Sequence, residues 1–240
     1  MKRGYINIAG QFTEDSQGYL IIYEWPREDE SYVIGADVSE GITVDQQSVG
    51  EASGDFSSAH VLSRQGFKVV ATWHGRIDPD VFATELIGTS RLFRGAIIGV
   101  ERNNQGIAVC QRLRESHYPA VYKRQLLDKI TKKTVSEIGW RTDLKTKPLM
   151  IDELREAIRE QSIEIPDEQT ILECLSYQRD EAGRMSAPSG MYDDRVISLA
   201  IAVQMRKLTT AMNYDLIVKP NPNSAKRVFE EAMKRQKYGG

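Results

Sequence analysis

Asp37, Glu101, Asp193 and Asp194 are the residues of this 240-residue sequence whose surroundings single them out for chemistry. Asp37 closes the apolar run YVIGADV (32–38), Glu101 closes AIIGVE (96–101), and Asp193-Asp194 opens the apolar segment DRVISLAIAVQM. Taken singly, each has a structural use as a turn residue, a helix cap or a first-turn acid. Taken together they follow one design, an acid at the end of a buried element. The carboxyl ends of neighbouring strands are where α/β folds gather functional side chains, and carboxylates held close repel unless a cation or shared protons relieve them. Such hard oxygen donors suit Mg²⁺ or Mn²⁺. The three histidines, His60, His74 and His117, show no ligand spacing that would favour zinc. Two cations about 4 Å apart can activate water and stabilise the leaving oxygen of a phosphodiester. Asp37, on a rigid strand, is the natural bridge between them. Glu101 and Asp194 would complete the ligand set, with Asp193 beside them.

The pattern of elements expected to carry these acids is α/β. YVIGADV and AIIGVE are short, β-branched and apolar, as buried strands are. SAHVLSR and FKVVATWH, separated by Gln65-Gly66, read as two antiparallel strands, with a loop over 40–57 before them. Asp78-Pro79 starts a helix over PDVFATELIGTSRLF, and Asn104-Gln105-Gly106 opens GIAVCQRLRES. AVYK (120–123) reads as a strand and residues 123–142 as a β-hairpin. Pro148 starts an amphipathic helix with Leu149, Leu154 and Ile158 among its apolar positions, and Asp167 caps EQTILECLSYQ. A loop or hairpin (180–191) precedes the last apolar helix. Residues 1–31 read as a linker with one peripheral strand, 32–207 as the main domain, and 208–240 as a tail ending in a short basic helix. The sum is a mixed central sheet flanked by helices, with an auxiliary hairpin.

Charge separates along the chain. The net charge is −2, but residues 123–147 carry +5 and residues 219–240 carry +4, leaving −11 elsewhere. Solvated faces explain this equally well as a protein that offers carboxylates to cations while gripping a polyanion. With 40% apolar and 28% charged residues the chain can bury a sizeable core. No stretch approaches the roughly 18 apolar residues of a membrane helix, and no signal peptide is evident. Cys110 and Cys174 read as core thiols in a reducing compartment.

Four motifs then carry a resemblance. GADVSEG (35–41), GVERNNQG (99–106), GWRTDLKTKPLMIDEL (139–154) and YDDRVISLAIA (192–202) resemble, in order, the nuclease domain of tailed-bacteriophage terminase large subunits. The resemblance spans about residues 32–206. It implies a ribonuclease H-like fold and an Mg²⁺- or Mn²⁺-dependent endonuclease that cuts concatemeric double-stranded viral DNA during packaging. Asp37, Glu101 and Asp194 match the family's acidic triad, and Asp193 matches an adjacent acid. Tyr192 stands where many relatives have His, and Asp55 matches a frequent acid of the family. Implied partners are the terminase ATPase domain, the portal protein and the small terminase subunit, in the cytoplasm of an infected bacterial host. No GxxxxGK[ST] loop is present, so the chain is expected to be the nuclease domain without its motor.

Lysine and arginine supply sequence-independent DNA affinity. The candidates are Arg102, Lys129, Lys132, Lys133, Arg141, Lys145 and Lys147. Asn103 is placed to orient a phosphate or the Glu101 carboxylate, or else to cap the next helix, whereas Trp73 and Trp140 read as core. Two other functions share the acid pattern: a different ribonuclease H-like nuclease such as a junction resolvase, or a non-catalytic DNA- or portal-binding module.

Overall fold

The computed structural model describes residues 1–39, 56–127, 132–179, 185–188 and 190–210. Asp55, Lys129, most of the 40–57 loop and the tail after residue 210 lie outside them. Sixteen elements are described: β1 (Lys2–Ile6), β2 (Phe12–Glu14), β3 (Leu20–Ile22), β4 (Tyr32–Asp37), β5 (Ser57–Ser63), β6 (Val69–Gly75), α1 (Pro79–Leu92), β7 (Ile97–Val100), α2 (Gly106–Glu115), β8 (Lys123–Leu127), β9 (Thr134–Ile138), α3 (Thr146–Arg159), α4 (Glu168–Ser176), β10 (Gln178–Arg179), β11 (Met185–Ser186) and α5 (Asp194–Leu208).

Seven strands form one mixed sheet in the order β2-β1-β3-β6-β5-β4-β7. Only β4 and β7 pair in parallel; the other neighbours are antiparallel. Strand β4 is buried along its whole length, so its two faces serve two cores. Ile34, Ala36 and Val38 pack with Phe82, Leu86, Val109 and Leu113 of α1 and α2. Val33 packs the other way, with Leu199, Ile201 and Ala202 of α5. The same alternation in β7 sends Ile98 and Val100 to the α1/α2 core and Ile97 to the α5 core. Side-chain parity therefore puts residues 33, 35 and 37 on the α5 face, beside 97, 99 and 101 of the paired strand. Two of these are glycines in register, Gly35 and Gly99, over which α5 passes closely. That contact explains why α5 is buried continuously from Val196 to Met205.

Several sequence expectations change. Residues 1–31 are not a linker with one strand: β1, β2 and β3 extend the main sheet, through β3 pairing with β6. They are short, polar on one side and broken by turns, so no periodicity announces them. AVYK is no strand; Val121 makes an isolated bridge to Ile98, and β8 begins at Lys123. The 123–142 hairpin is present as β8 and β9. Helix α3 begins at Thr146, two residues before Pro148, because a first-turn proline loses no helical hydrogen bond. Asp143 accepts from the Lys145 and Thr146 amides at 2.9 and 3.0 Å and so starts that helix. The buried face of α3 is Met150, Ile151, Leu154 and Ala157, while Leu149 and Ile158 are exposed. Cys110 is buried, but Cys174 is only half-buried. Trp73 and Trp140 are core residues. None of the described helices is long and apolar enough to cross a membrane.

Candidate active site

Asp37 ends β4, Glu101 directly follows β7, and both point to the α5 face by the parity above. The Glu101 amide donates to the Ala36 carbonyl at 2.8 Å, which locks the two strand ends side by side. Helix α5 crosses over the glycine pair with its N-terminus at this end of the sheet, bringing Asp193 and Asp194 to the same place. Together with Asn103 and Lys147, the four acids line one cavity of about 250 Å³.

The electrostatics of that cavity are unfavourable for carboxylates alone. Burial pushes the Asp37 carboxyl well above the ordinary range, and the neighbouring Glu101 raises it further through its charge and a hydrogen bond. Asp194 and Asp193 add smaller contributions of the same sign. Burial also raises Asp193, while Lys147, with Nζ 4.0 Å from its Oδ2, opposes the rise. Asn103 both orients the carboxylate and caps the next helix. Its Nδ2 donates to Glu101 Oε2 at 3.1 Å and to the Val38 carbonyl at 2.9 Å. Its Oδ1 accepts from the Gly106 amide at 2.7 Å and starts α2.

The donor set matches a hard divalent cation in kind: oxygen ligands, net negative charge and mutual repulsion that a cation would relieve. It is not closed into a cage. Among the described residues no three acidic, histidine or cysteine side chains converge as a ready-made metal cluster.

The basic candidates divide. Lys147 lies at the cavity wall, from the first turn of α3. Arg102 faces away toward the hairpin, paired with Glu137 of β9 at 3.0 Å, and so anchors β9 rather than leaving a free cation. Lys132 and Lys133 are exposed just ahead of β9. Arg141 is exposed near Asp143 (4.0 Å), and Lys145 is exposed at the start of α3. Lys129 is outside the described residues.

A buried polar network beneath α5 has no counterpart in the sequence reading. Arg195 pairs with Asp167 (2.9 Å) and Glu173 (3.1 Å), and Tyr23 donates to Asp167 at 2.9 Å. His60 sits between Ser198 (2.9 Å) and Thr170 (2.8 Å). The visible signal was slight: an arginine directly after an acid pair at a helix start, where cations are disfavoured. Phe56 was also missed. It stacks on His74 at 4.5 Å, takes the Arg76 guanidinium over its ring at 4.1 Å, and meets Tyr192 edge-on.

His60, buried, and His74, half-buried, are both held neutral, since desolvation lowers each pKa to about 3 from 6.5. The unfolded chain binds protons at pH values where the folded one does not. Their contribution to stability is therefore intact above pH 6.5 and lost as pH falls from 6.5 toward 3. Denaturant unfolding should show a loss of up to about 2 kcal/mol per histidine between pH 7 and pH 5. His74→Phe, which keeps the ring stack and cannot titrate, should remove about half of that loss. An unchanged pH slope in this variant would contradict a neutral His74.

No protein-family profile and no curated protein sequence matches the chain. Solved structures do. The large terminase nuclease from thermophilic phage G20c is 18% identical, with a TM-score of 0.58 over 85% of this chain and 93% of that one. Its magnesium-bound structure gives 0.59 at the same identity, over 85% and 92%. The Thermus phage P74-26 large terminase nuclease domain, also 18% identical, gives 0.56 over 88% and 93%. The seven-stranded mixed sheet, its flanking helices and the separate hairpin are thus the ribonuclease H-like fold of phage large-terminase nuclease domains.

Proposed function

We propose that the chain is a divalent-metal-dependent endonuclease that cuts double-stranded viral DNA during genome packaging. One observation carries the reading: Asp37, Glu101, Asp193 and Asp194, supplied by two paired strand ends and a helix start, line a single cavity in this fold. The magnesium- and cobalt-bound G20c nuclease structures support the use of a divalent ion here. Asp37, Glu101 and Asp194 would hold Mg²⁺ or Mn²⁺, two ions in the full reading, with Asp193 assisting. Ions bound there would supply Lewis-acid stabilisation of a phosphodiester and activation of water.

The chain's own residues do the rest. Asn103 fixes the Glu101 carboxylate by donating to it, so that the ligand does not swing into solvent. Lys147 places a positive charge at the cavity wall, where it balances Asp193 and would meet a phosphate oxygen of the substrate. Lys132, Lys133, Arg141 and Lys145 are exposed and would meet the flanking DNA backbone, with Lys129 the remaining candidate of that segment. Arg102, committed to Glu137, would act by holding the hairpin. The reading implies the terminase ATPase domain, the portal protein and the small terminase subunit as partners in an infected bacterial cell.

The test is plasmid nicking with Mn²⁺, Mg²⁺ or EDTA, compared across supercoiled plasmid, linear duplex and a four-way junction. The expected result is metal-dependent nicking of ordinary duplex. Strong preference for the junction would favour a resolvase instead. Absence of cleavage with either metal, while DNA is still bound, would favour the non-catalytic module.

A further inference from the structure

We propose that Glu173 is a positioning residue that caps α5 from a neighbouring helix, and thereby releases the Asp193 carboxylate to the acid cavity. An aspartate at the N-cap position ordinarily spends its side chain on the first-turn amides. Asp167 does so in this protein. Its backbone is extended (φ −83°, ψ 107°), and its carboxylate accepts from the Thr170 amide at 3.2 Å and the Thr170 hydroxyl at 2.6 Å. Asp193 holds the same position in α5 and does not. Its backbone is not extended (φ −127°, ψ 8°) and its side chain makes no capping hydrogen bond. Its carboxylate turns instead toward Lys147 and the Ala187 amide.

The amide that Asp193 neglects is satisfied from outside. Glu173 Oε2 accepts from the Arg195 backbone N–H at 3.0 Å, the second residue of α5. Its other oxygen, Oε1, holds the Arg195 side chain at Nε, 3.1 Å away. Arg195 Nη1 reaches Asp167 Oδ2 at 2.9 Å, so the cap of α4 and the substitute cap of α5 share one guanidinium. All three side chains are at most 17% exposed. Buried ion pairs of this kind contribute geometry more than net stability. Here the geometry fixed is the first turn of α5, the turn that carries Asp193 and Asp194. Without Glu173 the orphan amide would draw the Asp193 carboxylate back onto the helix start, out of the cavity.

The inference rests on the nuclease reading only for the use made of the released carboxylate, and the cap exchange is measurable without metal. Thermal melts in EDTA are compared for the parent, Glu173→Met, Asp193→Ala and the double variant. Glu173→Met keeps the length of the side chain but cannot accept. Asp193→Ala should lower the melting temperature by roughly 2–4 °C more in the Glu173→Met background than in the parent, because Asp193 has become the cap. Glu173→Gln retains an acceptor and should show no such coupling. Additive effects in the Met background would overturn the cap exchange. Glu173→Ser, too short to reach, repeats the cycle should the Met variant not fold. Calorimetric Mn²⁺ titration supplies the second readout. Affinity should fall about 10-fold in Glu173→Met and recover in Glu173→Gln. Parental affinity in the Met variant would overturn the release of Asp193. If the parent itself neither binds Mn²⁺ nor nicks DNA, the nuclease reading fails while the EDTA cycle still decides the cap.

Discussion

Replacing Asp37 by asparagine should abolish Mn²⁺-dependent nicking and, in the same protein without metal, raise the melting temperature. The two effects have one cause. Asp37 is 7% exposed, and its carboxyl is pushed up first by burial and then by Glu101 at its side. A group whose folded pKa is raised contributes stability that is fully present below the unfolded pKa and lost as pH rises through the folded one. At pH 8 the unfolded chain has released the Asp37 proton, whereas the folded one gives it up only against burial and Glu101; asparagine, neutral in both states at nearly constant shape, does not carry that cost. The melting advantage of Asp37→Asn should be near zero below about pH 4, the unfolded aspartate range, and grow above it. Adding Mn²⁺ should reverse the order, because an ion bound only by the folded parent stabilises it by mass action. Activity should fall on the order of 10³-fold, the scale on which losing one charge-stabilising group in an active site acts. Circular-dichroism melts at pH 4, 6 and 8 with EDTA or Mn²⁺, beside a nicking time course, test both halves. A variant that melts below the parent in EDTA at pH 8 would mean that Asp37 does not carry that cost. Near-parental nicking would remove Asp37 from the chemistry.

The strand-borne acids were legible for a reason that the fold makes plain. Asp37 and Glu101 each end a short apolar run, and a period of two fixes which face they share once the runs pair in register. The acid pair at the head of α5 was legible because a helix apolar on every side must be buried, and its ends must then lie at the edges of the core. What could not be read depends on partners remote in sequence. The pairing of β3 with β6 joins residues about fifty positions apart, and nothing local in GYLII marks it as integral to the sheet. Glu173 looks like an ordinary exposed-face glutamate of an amphipathic helix, and only its approach to the Arg195 amide gives it a task. Arg102 stands beside Glu101 and so read as a phosphate ligand, yet Glu137 of β9 claims it. Lys147 read as one of a basic stretch, and the fold separates it from that stretch by turning α3 toward the cavity. Local pattern thus located the acids. Tertiary contact alone decided which basic groups stand beside them.

Gly35→Ala should cost a large part of the stability of the fold, and should disable the site from a distance. A Cβ at Gly35 would lie 2.2 Å from both the Ala202 amide nitrogen and the Ser198 carbonyl oxygen of α5. These are backbone atoms, so no side-chain rotation relieves the clash. The helix would have to retreat by about 1.2 Å to restore the 3.4 Å of ordinary contact. Overpacking of a closed core costs about 1–3 kcal/mol, and more where backbone blocks both relaxations. In a chain of this size about 3 kcal/mol lowers the melting temperature by roughly 6–12 °C. Gly99→Ala is the matched control. The two glycines are in register on adjacent strands, but a Cβ at Gly99 meets the thioether of Met205, at 2.4 Å from sulfur, and that side chain can swing away. It should cost less than half as much. Because Asp193 and Asp194 ride on α5, the retreat in Gly35→Ala should also weaken Mn²⁺ stabilisation, measured as the metal-induced rise in melting temperature, whereas Gly99→Ala should keep it. Equal melting temperatures for the two variants would mean that α5 is not seated on Gly35. The glycine of the GADVSEG motif would then need a reason other than the close passage of the helix.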